Sequence, residues 1–368
     1  MDLELTPDER DVAEAFARVF ARDSSSERVR AAQAAGFDPA LWKTLAGMDA
    51  IGIAVPATAG GSGGGFVELA LIAEAAGRRL ACVPLIEAAV AARLLADAGA
   101  PADLVAEAVS GERITVFAPR PAEQGVARRV PAGSVAEGVI ALEGDELVLV
   151  HGPSAPGDHG GGPGGRTGPG RGNDSVGPSG PGVAAGRDLG FQAVADRPLR
   201  GTGLDRHVLA AGVQAHDLWR RARDRWRLGT AAACTGLAAE ALDIAVRYAT
   251  ERHQFGAPIG SFQALQQPLA DVAMAADGAR LVAREAAWRH DHGLESWAGA
   301  AAVAFAHAAE TAVRAAELCL HVHGGYGFTL EYDAQLYLRR AKATRLSAGD
   351  PDLLWEEIGA ATMAGGAH

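Results

Sequence analysis

Residues 152–182 hold thirteen glycines, six prolines and only two apolar side chains, Ala155 and Val176. Such a stretch loses more backbone entropy on ordering than it can recover by burial, so it builds no core. Whatever this chain folds into must therefore be assembled from the sequence on either side. From there to about Arg227 the residues are rich in Arg, Gly and Ala, with neither the period of a helix nor that of a strand. A linker rarely interrupts a β-unit that has only just begun. A second reading is a slipped reading frame in a GC-rich gene, with sense restored near Leu228.

The flanks carry clear periods. Thr6-Pro7-Asp8-Glu9 is a helix start, with a Thr cap, Pro at the first position and Glu at the third. Val12, Phe16, Val19 and Phe20 follow on one face. Further helices are expected over about 39–48, 66–76 and 84–98. Between about Arg113 and Val150 the period changes, and Ile114–Phe117, Gly138–Leu142 and Glu146–Val150 read as short strands. After Leu228, Leu237, Ala241, Ile244 and Tyr248 share a helical face. A helix from Ser261-Phe262-Gln263 carries Leu265, Leu269 and Val272 through Pro268. The stretch 300–321 is alanine-rich and apolar nearly all round, the mark of a buried helix. Asp350-Pro351 starts the last helix. The expected fold is thus α+β: an N-terminal helical domain (1–112), a small β-barrel-like middle domain (113–227, abnormal over 152–227) and a C-terminal four-helix bundle (228–368).

The net charge of −11 makes nucleic acid or an anionic membrane an unfavourable partner. The three cysteines are scattered and lack metal-ligand spacing, which fits a reducing compartment and no metal. No window of eighteen apolar residues free of charge is found, and the start Met1-Asp2-Leu3-Glu4 lacks a basic region before an apolar one. The expectation is a cytoplasmic protein with no membrane span.

The chemistry gathers near the C-terminus. In His323-Gly324-Gly325-Tyr326-Gly327-Phe328, three glycines in four positions mark backbone that takes positive φ or admits a close neighbour. By itself such a turn between helices is either a simple connection or a place where peptide N–H groups meet a phosphate. Two motifs go further. Tyr248-x-x-Glu251-Arg252-x-Gln254-Phe255-Gly256-x-Pro258-Ile259-x-x-Phe262-Gln263, with Leu269-Ala270-Asp271 after it, resembles the signature of the acyl-CoA dehydrogenase flavoproteins. So does Gly324-Gly325-x-Gly327-Phe328-Thr329-x-Glu331-Tyr332 with Arg339 and Ala341. The resemblance covers 1–120 loosely and 229–350 closely.

It implies FAD lying between the β-domain of one subunit and the C-terminal helices of another, hence a homo- or hetero-oligomer built through those helices. Arg252 matches the arginine that meets the FAD pyrophosphate across the interface; its plainer alternative is a solvated helix end. Gln254, Phe255 and Gln263 fall in the same cofactor-binding set, although Phe255 could equally be core. Gly324 and Gly325 match the turn against the ADP portion. His321 stands where many members have Gln, and serves either as a donor to the cofactor or as a buried structural histidine.

The implied reaction is α,β-dehydrogenation of an acyl-CoA thioester, in fatty acid or steroid side-chain β-oxidation, with electrons passed to an electron-transfer acceptor. It needs a carboxylate base. The family Glu falls on Ala348, which takes no proton, so no catalytic residue is assigned to this chain. Asp350 replaces the following Thr, with a helix cap as its simplest role. The alternative base position of some members falls near Trp226, where Asp224 is the nearest carboxylate. The β-domain motif Thr-Glu-x-x-x-Gly-Ser-Asp, due over Phe117–Gly125, is also missing. Three readings follow: a subunit whose partner supplies the Glu, a stand-alone enzyme with another base, or a non-catalytic flavin- or acyl-CoA-binding relic.

Overall fold

The computed structural model describes residues 4–152 and 185–365. It opens with α1 (Pro7–Asp23), α2 (Ser26–Ala32), α3 (Pro39–Ala46), α4 (Phe66–Arg78), α5 (Leu85–Asp97) and α6 (Ala102–Ser110). The start of α1 is the capping box read from the sequence: Glu9 N donates to Thr6 Oγ1 at 3.2 Å, and Thr6 N donates to Glu9 Oε2 at 2.6 Å. Its apolar face buries Phe16, Val19 and Phe20 against Leu41, Leu45 and Ile72. No residue that could cap α4 precedes it, since Gly65 has no side chain. Its first amides, on Phe66 and Val67, instead donate to the Asp291 carboxylate at 2.9 and 2.8 Å, reached from a helix 225 and 224 residues further on. Orphan amides and the helix dipole both favour an acid there, so this cap pins the first helices to the last ones.

The middle of the chain forms β1 (Thr115–Phe117), β2 (Val126–Pro131), β3 (Gly138–Glu143), β4 (Glu146–His151), β5 (Ala185–Arg187), β6 (Ala193–Pro198) and β7 (Asp205–Ala211). These make a four-stranded sheet, β1-β3-β4-β7, and a three-stranded sheet, β2-β6-β5. The β3–β4 hairpin turns at Gly144, whose φ of 56° suits a residue without Cβ. Val116, Phe117, Val130, Ile140 and Leu149 are buried in one cluster with α5 and α6. Of these strands β1, β3 and β4 are legible in the sequence; β2 and α6 are not.

Here the structure corrects the reading of 152–227. The stretch 153–184 lies outside the described residues. From Ala185 onwards the chain is ordinary: β6 pairs antiparallel with β2, β7 pairs antiparallel with β4, and a helix starts at Gly212 rather than near Leu228. Residues 185–227 thus form strands and a helix start, where the sequence shows neither period. The aperiodicity has a physical cause. The arginines that break the apolar pattern are spent in pairs: Arg197 donates to the carbonyls of Gly133 and Gly152, Arg200 and Arg206 meet Glu143, and Arg227 meets Asp224.

The C-terminal part comprises α7 (Gly212–Glu251), a two-residue ribbon β8 (His253–Gln254) and β9 (Ala257–Pro258), α8 (Gln263–Asp291), α9 (Trp297–His323), a 3-10 turn Gly324–Phe328, α10 (Ala334–Ser347) and α11 (Pro351–Gly365). The 40 residues of α7 span about 60 Å at 1.5 Å per residue. One 18-residue window of α7 reaches a mean hydropathy of 1.2, but 67% of it is buried inside the protein. Helices α4, α8 and α9 occupy its apolar surface, so this is a core helix. Alanine and glycine let the helices approach closely: a Cβ on Gly236 would lie 1.9 Å from Glu74 O, and one on Gly77 1.9 Å from Ala233 O. Ala301, Ala304, Ala308, Ala312 and Ala316 of α9 are almost wholly buried, as the apolar-all-round pattern requires.

Candidate functional site

Two places carry chemistry. The first is a cavity of about 110 Å³ where α4 and α5, the β-sheets, α7 and α10 meet. Leu80, Val83, Leu85 and Leu237 give it apolar walls; Glu87, Arg120, Asp188, Trp226, Thr230 and Arg340 give it polar ones. Trp226 Nε1 donates to Glu87 Oε1 at 3.2 Å. Burial pushes the Glu87 carboxyl above the usual carboxylate range, with its own backbone amide, Trp226 and Arg340 acting the other way. Asp188 is pushed up for the same reason, although Gln192 N donates to its Oδ1 at 2.8 Å. Arg120 is pushed down by burial and by its like-charged neighbour Arg129. The Cys234 thiol in the wall is pushed up to about 12 by burial and is inert.

The second place is the far end of α7 with the glycine turn. Arg252 ends α7, Gln254 lies in the β8–β9 ribbon, and Gln263 starts α8; all three are exposed. Among the described residues the Arg252 guanidinium has no ion pair. Phe255 is 95% exposed with φ at 54°, so it is not core. An L-residue holding a left-handed backbone while its ring faces water is strained twice over, and this chain offers that ring little cover. Gly324 adopts φ 59°, and a Cβ on Gly324 or Gly325 would meet nothing of this chain within 4 Å. His321 is exposed on α9, which overturns its reading as a buried structural histidine. The buried one is His323, which is 2.7 Å from Cys319 O through Nδ1 and stacks on Tyr248 at 4.1 Å. Arg30 of α2 holds the turn's exit, donating to Leu330 O at 3.1 Å and pairing with Asp333 at 2.7 Å.

Ala348 caps α10, half-buried beside a smaller hollow that it shares with Phe305, Glu310, Asp350 and Trp355. Neither acid there is free: Glu310 accepts from Trp355 Nε1 at 2.8 Å, and Asp350 Oδ1 accepts from Asp352 N at 3.0 Å as the cap of α11. Asp224 is absent from the large cavity's lining; its carboxylate sits 3.2 Å from both Arg223 and Arg227, on the side of α11. Trp226 does line that cavity, and its ring packs 5.8 Å from Phe305. Sequence reasoning missed Glu87 and Asp188. Glu87 stands in the first turn of α5, where an acid reads as an ordinary partner of the helix dipole. Its only signal was that it interrupts a helix otherwise buried nearly all round. Among the described residues no group of three or more His, Cys, Asp or Glu could hold a metal.

Comparison with known proteins gives these features a context. The family model for the acyl-CoA dehydrogenase N-terminal domain matches residues 6–103, and that for the C-terminal domain matches 220–363. Acyl-CoA dehydrogenase FadE27 of Mycobacterium tuberculosis is 33% identical over 337 residues, covering 85% of each chain. The chain belongs to the acyl-CoA dehydrogenase family. Its members are flavoproteins and oxidoreductases acting on CH–CH groups. Probable acyl-CoA dehydrogenase YngJ of Bacillus subtilis is 42% identical over 130 residues, a match that covers 35% of this chain and 34% of that protein. Among solved structures, the ChsE4-ChsE5 complex from Mycobacterium tuberculosis superposes with a TM-score of 0.80 at 26% identity, covering 98% of both chains. That structure is a complex of two components, ChsE4 and ChsE5. The first and last parts of this acyl-CoA dehydrogenase relative are thus family-like. In the segment Phe117–Gly125, Pro119 and Pro121 have no amide hydrogen, and the amides of Ala118, Ala122 and Glu123 donate to Ile140, Leu142 and Val126.

Proposed function

We propose that this chain is the base-lacking subunit of a FAD-dependent acyl-CoA dehydrogenase, acting on an acyl-CoA thioester with a second subunit that supplies the Glu. The observation that carries this reading is the exposed set at the end of α7: an Arg252 with no ion pair among the described residues, the strained and uncovered Phe255, and an open glycine turn. A side chain held at cost against solvent fits a surface that another molecule covers.

The fit to FAD is one-sided. The guanidinium of Arg252 offers several donors to a diphosphate, and the bare backbone of Gly324 and Gly325 leaves room for an adenosine portion beside Gln254, Phe255, Gln263 and His321. The chain's own β-domain is poorly equipped for a flavin ring, because Phe117–Gly125 has few amides left to donate. This supports the chain completing a flavin site on its partner rather than holding one alone. FAD, when bound, accepts the substrate's β-hydrogen as hydride and passes electrons to an electron-transfer acceptor. The α-proton needs a carboxylate, and Ala348 has none; within this chain both neighbours, Glu310 and Asp350, are already committed to hydrogen bonds. We place the protein in the cytoplasm.

The test is to express the chain alone and together with a paralogue that carries Glu-Gly-Thr at the position of Ala348-Gly349-Asp350. Bound flavin and acyl-CoA-dependent dye reduction are expected only from the pair, and Arg252→Ala is expected to strip flavin from it. Full turnover by this chain alone, or undiminished flavin in the Arg252→Ala pair, would refute the reading.

A further inference from the structure

The polar end of the large cavity has no role in that scheme. Thr230 lines the cavity, is 5% exposed, and its hydroxyl has no hydrogen-bond partner among the described residues. A threonine inside a helix ordinarily satisfies itself on a carbonyl of the preceding turn. Thr235, on the same helix, does so, donating to Ala232 O at 2.7 Å. Thr230 does not, and an orphaned buried hydroxyl is a standing cost.

Trp226 lies one turn earlier on the same face of α7 and holds Glu87 by its indole N–H. The neighbouring pair Ile86 and Gly229 brings α5 onto α7 at this level, since a Cβ on Gly229 would meet Ile86 Cγ2 at 2.9 Å. Glu87, Trp226 and Thr230 therefore converge on one end of a cavity whose nearby walls are Leu80, Val83, Leu85 and Leu237. We infer that this cavity takes an acyl group bearing a neutral oxygen function, a ketone or a hydroxyl, which hydrogen-bonds Thr230 beside Glu87. The inference rests on the acyl-CoA reading and refines it to a substrate class.

The chemistry favours this over the two simpler ligands. A plain alkyl chain would leave the Thr230 hydroxyl unpaired and give the Glu87 carboxyl no partner beyond Trp226 and its own backbone amide. A carboxylate would face Glu87, whose own charge is already disfavoured by burial. A ketone accepts from the Thr230 hydroxyl; a hydroxyl group can accept from Thr230 and donate to the Glu87 carboxyl. A site built to hydrogen-bond an oxygen rejects the analogue lacking it more strongly than an apolar pocket rejects an extra methylene.

The experiment measures binding of matched thioesters to the full chain, alone and in its complex, by isothermal titration. Hexanoyl-, octanoyl- and decanoyl-CoA are each compared with the counterpart carrying a ketone one carbon from the chain end. At least one ketone should bind tenfold or more tightly than its parent. Thr230→Val keeps the shape and removes the hydroxyl: it should bring that ratio within threefold while raising the thermal midpoint of the free protein, because the orphan is gone. Equal binding within every pair, or a ratio unchanged in Thr230→Val, overturns the inference and leaves the acyl-CoA reading standing. Binding of no thioester by either form of the protein overturns both.

Discussion

The close crossing of α4 and α7 makes a sharp prediction for Gly236→Ala. The new methyl carbon would sit 1.9 Å from Glu74 O and 2.9 Å from Arg78 N, whereas ordinary contact begins at 3.4 Å, a shortfall of about 1.5 Å against Glu74 O. Both obstacles are helix backbone, so no side chain can rotate away. The helices must separate, and Gly77 on the facing side meets Ala233 O equally closely, so there is no slack in the reverse direction. Overpacking of this kind costs about 1–3 kcal/mol or more. Alanine's better helix propensity returns about 1 kcal/mol. With rigid backbone on both sides the cost lies at the upper end, about 3 kcal/mol, and the net loss of about 2 kcal/mol would lower the melting temperature by roughly 4–8 °C for a cooperative unit of about 150–250 residues. The control is Gly359→Ala in α11, where a Cβ meets nothing within 4 Å and the same propensity gain should appear as stabilisation. Thermal unfolding followed by circular dichroism reads both. If Gly236→Ala melts at or above the temperature of the parent protein, the backbone-contact argument is wrong.

Two further tests concern buried charge. Arg227 pairs with Asp224 at 3.2 Å and with Glu357 at 2.8 Å, clamping α11 to α7. Arg227→Met should destabilise by about 3 kcal/mol, since it leaves the buried Asp224 carboxylate short of a partner, and limited proteolysis should then cut α11 first. His290 receives a hydrogen bond from Arg225 Nε at 3.0 Å, so its Nε2 carries no proton; its Nδ1 lies 2.9 Å from Asp291, the acid that caps α4. Burial lowers its pKa. Because the unfolded chain binds the proton more readily, this group's contribution is complete above the ordinary histidine range and is lost as pH falls from about 6.5. Replacing His290 by Gln should flatten the acid limb of a stability-against-pH curve below about pH 6.5, and an unchanged limb would exclude His290 as its source.

Local signals were enough for much of this molecule. The capping box at Thr6, the alanine stripes of α9 and the hairpin of β3 and β4 depend on neighbours within a few residues, and their patterns survive in one dimension. The family motifs at Arg252–Gln263 and Gly324–Tyr332 were legible for the same reason. The stretch from residue 185 to 227 was not. Its strands are held by pairing with β2 and β4, and arginines such as Arg200, Arg197 and Arg227 by acids and carbonyls 57, 64 and 130 residues away, so no local period marks them. Asp224 shows the same limit from the other side, a carboxylate near the right place in sequence that the fold turns towards α11.

What the sequence determined by itself was the order of helical, β and helical parts, the family, and the absence of a carboxylate at Ala348. These are properties of residue identity and short spacing. Only the tertiary structure could decide that Phe255 and His321 face outward, that Asp291 caps a helix more than two hundred residues before it, and that Glu87 and Thr230 close one end of a cavity. Burial and hydrogen-bond satisfaction depend on which distant segments arrive at the same point, and the packing of α5 against α7 sets that here.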